Sequence, residues 1–235
     1  MKKFISISFI LIAFLIAITV FLPGKRYIKE GISLVKRESE NLFKNDLKVP
    51  EEYSKADKNK NGIPDPLDMV QAARREVENE TVYVSNYYVG GYPPDSEGVC
   101  TDVIWRAFAG MEINLKELMD EDIKKNIKLY PRVNGSPDPN IDFRRVPNQE
   151  VFFKRHAQSL PTEVKAWDIE NLKQWQPGDI ILFLEPYQHV GVISDKRDKD
   201  GIPYLIHNST PHAKEVKLSW ITDSTPLTGH YRWKY

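Results

Sequence analysis

The sequence predicts an α+β domain in which helices come first and a small antiparallel sheet follows. Three observations carry this. Apolar residues recur at helical spacing as far as Ser159. After Gln176-Pro177-Gly178-Asp179 the pattern changes to short apolar runs. Turn signals separate those runs, so they read as the strands of a meander.

The elements follow in chain order. Lys2 and Lys3 precede an uncharged, mostly apolar run over residues 4–22, closed by Pro23, Gly24, Lys25 and Arg26. At ~1.5 Å per residue such a helix is long enough to cross a bilayer core. A cleavable signal usually has a shorter apolar region and an A-x-A-like site, and no such site is evident. Residues 1–26 are therefore expected to be an uncleaved anchor, with the N-terminus in the cytoplasm and the rest outside it. If the segment is cleaved, the chain is secreted. Residues 27–56 read as a stalk or linker, with Ile28, Ile32, Val35 and Leu42 at loosely helical spacing and a polar stretch from Val49.

Residues 57–235 are expected to form the domain. Met69, Val70, Ala73 and Val77 predict a helix over 66–79. A loop rich in Tyr, Gly and Pro follows. Val103, Ile104, Ala107, Phe108 and Met111 predict a second helix over 100–111, and further helices are expected at 115–130 and 149–159. Strands are expected at 180–184, 189–194 and 204–207, with Asp200-Gly201 turning between the last two, and at 230–233.

The chain carries 33 basic and 33 acidic side chains. That balance argues against a broad nucleic-acid surface. Its single cysteine, Cys100, excludes an internal disulfide. A lone thiol in an exported chain risks oxidation, so its presence is informative. Cys100 opens its predicted helix, where free N–H groups and the helix dipole favour thiolate over thiol. A nucleophilic cysteine needs a base. Of five histidines, His189 and His207 fall in the strand block, close enough to be neighbours if the register suits. A small buried hydrophobe is the bland alternative for the cysteine. Cys and His here lack the close paired spacing of structural zinc sites. His156, His212 and His230 read as structural or surface residues.

The segments GGYPPDSEGVCTD, PGDIILFLEPYQHVGVISD and YLIHNS resemble the NlpC-like papain-fold cell-wall cysteine peptidases. Over most of residues 57–235, the runs GGYPPDSEGVCTDVIWRAF, PNIDFRRVPN and TGHYRW resemble the family described as domain of unknown function 1287, itself thought related to that fold. The resemblance implies a papain-like fold with Cys100 as nucleophile, His189 as general base and acid, and His207 as its orienter. Asn208 is a rival for the third role; adjacent strand residues point to opposite faces, so only one of the two serves. Tyr87 or Tyr88 matches the upstream tyrosine that helps form the oxyanion hole. The chain departs from the peptidases' Asp-Cys-Ser-Gly with Val99-Cys100-Thr101-Asp102.

DKNKNGIPDPLD, residues 57–68, fits the twelve-residue calcium-loop template. Asp57, Asn59 and Asn61 supply side-chain oxygens, Gly62 the sharp turn, and Ile63 a carbonyl. Asp65 and Asp68 complete the set. A solvated Asn-Gly turn is the alternative. Chemistry at the thiol needs no metal, so a cation here is expected to be a structural brace. Arg144 and Arg145, whose forks suit carboxylates, are candidates for gripping a cell-wall peptide; an ion pair with Asp142 or another acid competes.

The expected function is an extracytoplasmic thiol hydrolase that cleaves an amide bond, with peptidoglycan stem peptide as the substrate and the membrane as its anchorage. A thiol acyltransferase using the same Cys–His pair is one alternative. A non-catalytic, calcium-braced wall-binding protein is the other.

Overall fold

A computed structural model describes residues 46–235. The expected anchor at 1–26 and most of the expected stalk at 27–56 lie outside the described residues. Among the described residues no helix is long and apolar enough to cross a membrane.

The domain is mixed α/β, and its main elements follow the expected order. Helix α1 (Asp65–Glu78) buries Met69, Val70 and Ala73. Two short strands, β1 (Val82–Tyr83) and β2 (Glu97–Gly98), precede α2 (Cys100–Gly110). Next come α3 (Leu115–Asn126), α4 (Val146–His156), strand β3 (Gln158–Ser159) and the short α5 (Ile169–Leu172). Strands β4 (Ile180–Phe183), β5 (His189–Arg197), β6 (Pro203–Ser209) and β7 (His212–Lys217) then run as an antiparallel meander. After α6 (Ser219–Thr222), β8 (Gly229–Arg232) returns to pair with β4 on its outer side. Among the described residues the sheet has eight strands in the order β2-β1-β7-β6-β5-β4-β8-β3, with β1–β2 as its parallel pair. It is larger than the sequence suggests. The pieces β1, β2 and β3 are two residues long, too short to carry a period. Strand β7, HAKEVK, is too polar to stand out.

Alternation along the strands divides the core in two. Ile180, Leu182, Val190, Val192 and Ile206 join the cluster built on α1, α2 and α4. Ile181, Phe183, Ile193 and Leu205 face the other way, onto Leu172, Trp175 and Leu218. Helix α2 is the central one, with Val103, Ile104, Ala107 and Phe108 all at 0 % exposure. It touches α1 so closely at Gly110 that a Cβ there would lie 2.7 Å from Ala72 Cβ and 2.8 Å from the Asp68 carbonyl. Three histidines outside the expected site are structural or partly exposed. His230 stacks on buried Trp175 at 4.0 Å and bonds Asp179 and the Pro161 carbonyl. His156 sits beside Asp122, and His212 bonds the Ala213 carbonyl.

Candidate functional site

Helix α2 starts at Cys100 because of Asp102. Val99 is extended, and the Asp102 carboxylate, three residues on, accepts its N–H at 2.7 Å. This satisfies the backbone before the first turn and fixes where the helix begins. Asp102 is sealed at 0 % exposure and is saturated by neighbours. It accepts Trp105 Nε1 at 2.9 Å, Arg144 Nε at 2.7 Å and Arg144 Nη2 at 2.8 Å. Arg144 also donates to the Asn86 carbonyl, and its own carbonyl accepts the Thr101 hydroxyl. Asp102 is thus one half of a buried, bidentate ion pair in the first turn of α2, two residues past the cysteine.

The Cys100 thiol is 5 % exposed. Burial pushes it up to about 12, opposed by backbone N–H groups of Val190, Thr101 and Cys100 itself. The Val190 contact matters most for placement, because Val190 is the next residue after His189. The sulfur thus contacts the start of β5, one residue along from His189. His189 lies opposite Phe183 in the β4–β5 register, and the two rings are 6.4 Å apart. His207, two residues past Leu205, follows the same alternation. Its Nδ1 meets His189 Nε2 at 2.8 Å. Asn208 turns the other way, and its amide donates to the Thr81 and Gly98 carbonyls. Between the two rivals, His207 is the one that reaches His189. Gly191 permits this approach, since a Cβ there would meet the Ile206 carbonyl at 2.8 Å and Leu205 Cδ1 at 2.7 Å.

Both imidazoles are nearly sealed, and burial holds both below the usual value. His189 falls to about 4, and His207 to about 3 with help from the nearby positive charges of His189 and Lys214. At neutral pH the site holds a thiol and two neutral rings. Among the described residues no hydrogen bond joins the sulfur to either ring. His189 Nε2 is engaged by His207, and in the tautomer whose Nδ1 is unprotonated the ring can accept a proton there. For that tautomer His189 Nε2 carries the hydrogen, His207 Nδ1 accepts it, and His207 Nε2 is protonated. That last atom is sealed and has no hydrogen-bond partner.

Tyr87 and Tyr88, the two candidates for the oxyanion hole, both have polar partners. Tyr87 bonds Asp138 and Asn140, and Tyr88 donates to Glu97 while lying over Arg144. Burial, and then the charges of Cys100 and Asp102, raise the Tyr83 hydroxyl above its ordinary value. The β1–β2 register sets Tyr83 beside Gly98, two residues before Cys100. In a run with four tyrosines nothing in the spacing singles it out; only the pairing of two-residue strands does. Arg144, a candidate for gripping substrate, has its guanidinium committed to Asp102 with 2 % of the side chain exposed. Arg145 is partly exposed and lies 3.6 Å from Asp142. Residues 142–144 form a 3-10 turn in which Arg144 is buried. On the other wall, half-exposed Tyr187 lies 6.2 Å from the His189 ring.

Comparison with known proteins gives a family but no activity. Over 177 residues, 71 % of this chain and 81 % of the relative, the sequence is 36 % identical to a protein of Escherichia coli (strain K12) named "Uncharacterized protein YijF". Residues 70–233, which include Cys100, His189 and His207, match the family described as "Domain of unknown function (DUF1287)". The chain belongs to that family.

Proposed function

We propose that the protein is a thiol hydrolase of papain-like type that works outside the cytoplasm, held to the membrane by residues 1–26, and cleaves an amide bond in peptidoglycan stem peptides. One observation carries the reading. A cysteine at a helix N-terminus rests on the N–H next to His189, and His189 is hydrogen-bonded to a second histidine. The wall substrate rests on resemblance and on the apolar N-terminal run.

In this reading the Cys100 S–H proton passes to His189 Nδ1 as sulfur attacks the amide carbon. The developing oxyanion is met by N–H groups at the start of α2 and by the Tyr83 hydroxyl. His189 returns the proton to the departing amine, leaving a thioester. Water then attacks, giving its proton to His189 and restoring the thiol. Because thiol and ring are both neutral at rest, proton transfer accompanies attack instead of preceding it. Catalytic hydrogen bonds are often loose before substrate arrives and tighten with it.

Purified peptidoglycan digested with wild type and with Cys100→Ala tests the proposal by mass spectrometry of the fragments. New peptide ends are expected from wild type, and a loss of at least about 10³-fold from the variant with its circular dichroism unchanged. Equal products from both proteins would remove the thiol from the mechanism. A wild type inert on every wall fragment would remove the substrate.

A further inference from the structure

We infer that the loop at residues 57–68 binds one calcium ion, which braces the end of α2 remote from Cys100. The loop is already curled around its own oxygens. Asp57 accepts the N–H groups of Asn61 and Gly62 at 3.1 and 2.9 Å, and Gly62 takes the left-handed φ of +88° that this turn requires. The side-chain amides of Asn59 and Asn61 each donate to the Asp68 carboxylate at 3.0 Å, and their oxygens accept the Asn61 and Ile63 N–H groups. Positions 3, 5 and 12 of the template therefore meet at one place, with position 1 on the loop that encircles it.

A separate observation points to a ligand. Asp65, at position 9, is 1 % exposed, and its Oδ1 accepts the Lys58 N–H at 3.0 Å, which holds the carboxylate against the loop. Its Oδ2 is sealed and has no partner. A buried carboxylate oxygen left unpaired is costly, and a cation or its bound water relieves it. Among the described residues no lysine, arginine or histidine forms an ion pair with Asp57, Asp65 or Asp68. Nor do three acids or histidines there sit tightly enough to hold an ion by themselves. Amide and carbonyl oxygens must complete the set, as calcium accepts and zinc does not.

The brace is structural. Asn59 Nδ2 lies 3.4 Å from the Gly110 carbonyl, the last residue of α2, and Asp68 belongs to the α1 turn packed on Gly110. An ion here ties the loop, α1 and the C-terminal end of α2 together. It takes no part in the thiol chemistry, so Cys100→Ala is expected to bind calcium as wild type does.

The test uses the full-length chain stripped with EDTA and titrated with CaCl2. Calorimetry is expected to show one saturable site with Kd about 10⁻⁴ M, as for extracellular modules. About 10 mM CaCl2 is expected to raise Tm by about 5–10 °C, and MgCl2 at equal ionic strength by much less. Asp68→Ala and Asp57→Asn are each expected to abolish the heat; the second keeps an acceptor for the loop N–H groups, so it decides if the first does not fold. Three results would each overturn the site: no saturable heat in wild type up to 10 mM, an equal rise with magnesium, or wild-type binding by a folded Asp57→Asn.

Discussion

Two opposed influences meet at the Cys100 sulfur. Burial resists ionisation, while three backbone N–H groups invite it, and burial prevails with the thiol near 12. A resting thiolate–imidazolium pair would behave otherwise, staying ionised through neutral pH. Alkylation by iodoacetamide separates the two states. Between pH 7 and 9.5 the rate is expected to climb about tenfold per pH unit, since the thiolate fraction of so weak an acid does so. A plateau from pH 6 upward would show a standing ion pair instead. At this scale sequence reasoning was strong on residue types and weak on neighbours. Cys100, His189 and His207 stand out by type and position, whereas Tyr83 is set beside Gly98 by a backbone pairing no side-chain pattern announces.

Helix α2 is set at its N-terminal end by the Asp102–Arg144 pair, and the element inherits the fate of that pair. Removing one partner from a buried ion pair strands the other, at a cost of about 3–5 kcal/mol. Arg144→Met is therefore expected to lower Tm by about 10 °C in thermal melts, and to slow any thiol-dependent turnover because the first turn of α2 loses its anchor. A change of under 2 °C would mean that Asp102 finds other partners. The boundaries of α1 and α2 were legible to within a residue, since both bury an unbroken apolar stripe. Helix α4 was expected to begin at 149 and starts at Val146 instead: Pro147 occupies its first turn, where the missing N–H does no harm. The calcium-type template was equally legible, because side-chain oxygens at alternate positions are a pattern of the chain itself.

For the molecule as a whole, the buried histidine pair makes stability depend on pH. In the unfolded chain both rings titrate near 6.5. In the fold they stay neutral down to about 4 and 3. Between those limits the unfolded state binds more protons, so stability is complete at pH 7 and is lost as pH falls through 6 toward 4. The thiol acts in the opposite sense, with stability lost as pH rises above about 9. Melts from pH 4 to 8 are expected to show a steep acid limb in wild type, on the order of 3 kcal/mol, and a clearly shallower one in His207→Gln. Identical limbs would place the proton uptake elsewhere. At this scale the α+β class and the meander were readable from period and turns. The full strand order was not, because β1, β2 and β3 are too short and β7 too polar to read as strands.

The two outermost strands, β2 and β3, are two residues each. A peptide cannot be gripped by lengthening the sheet when its rims offer so few free amides and carbonyls. In the proposed reading, recognition of a peptide therefore falls to side chains. Selectivity should then follow the shape and polarity of the ligand's own groups more than the repeat of its backbone.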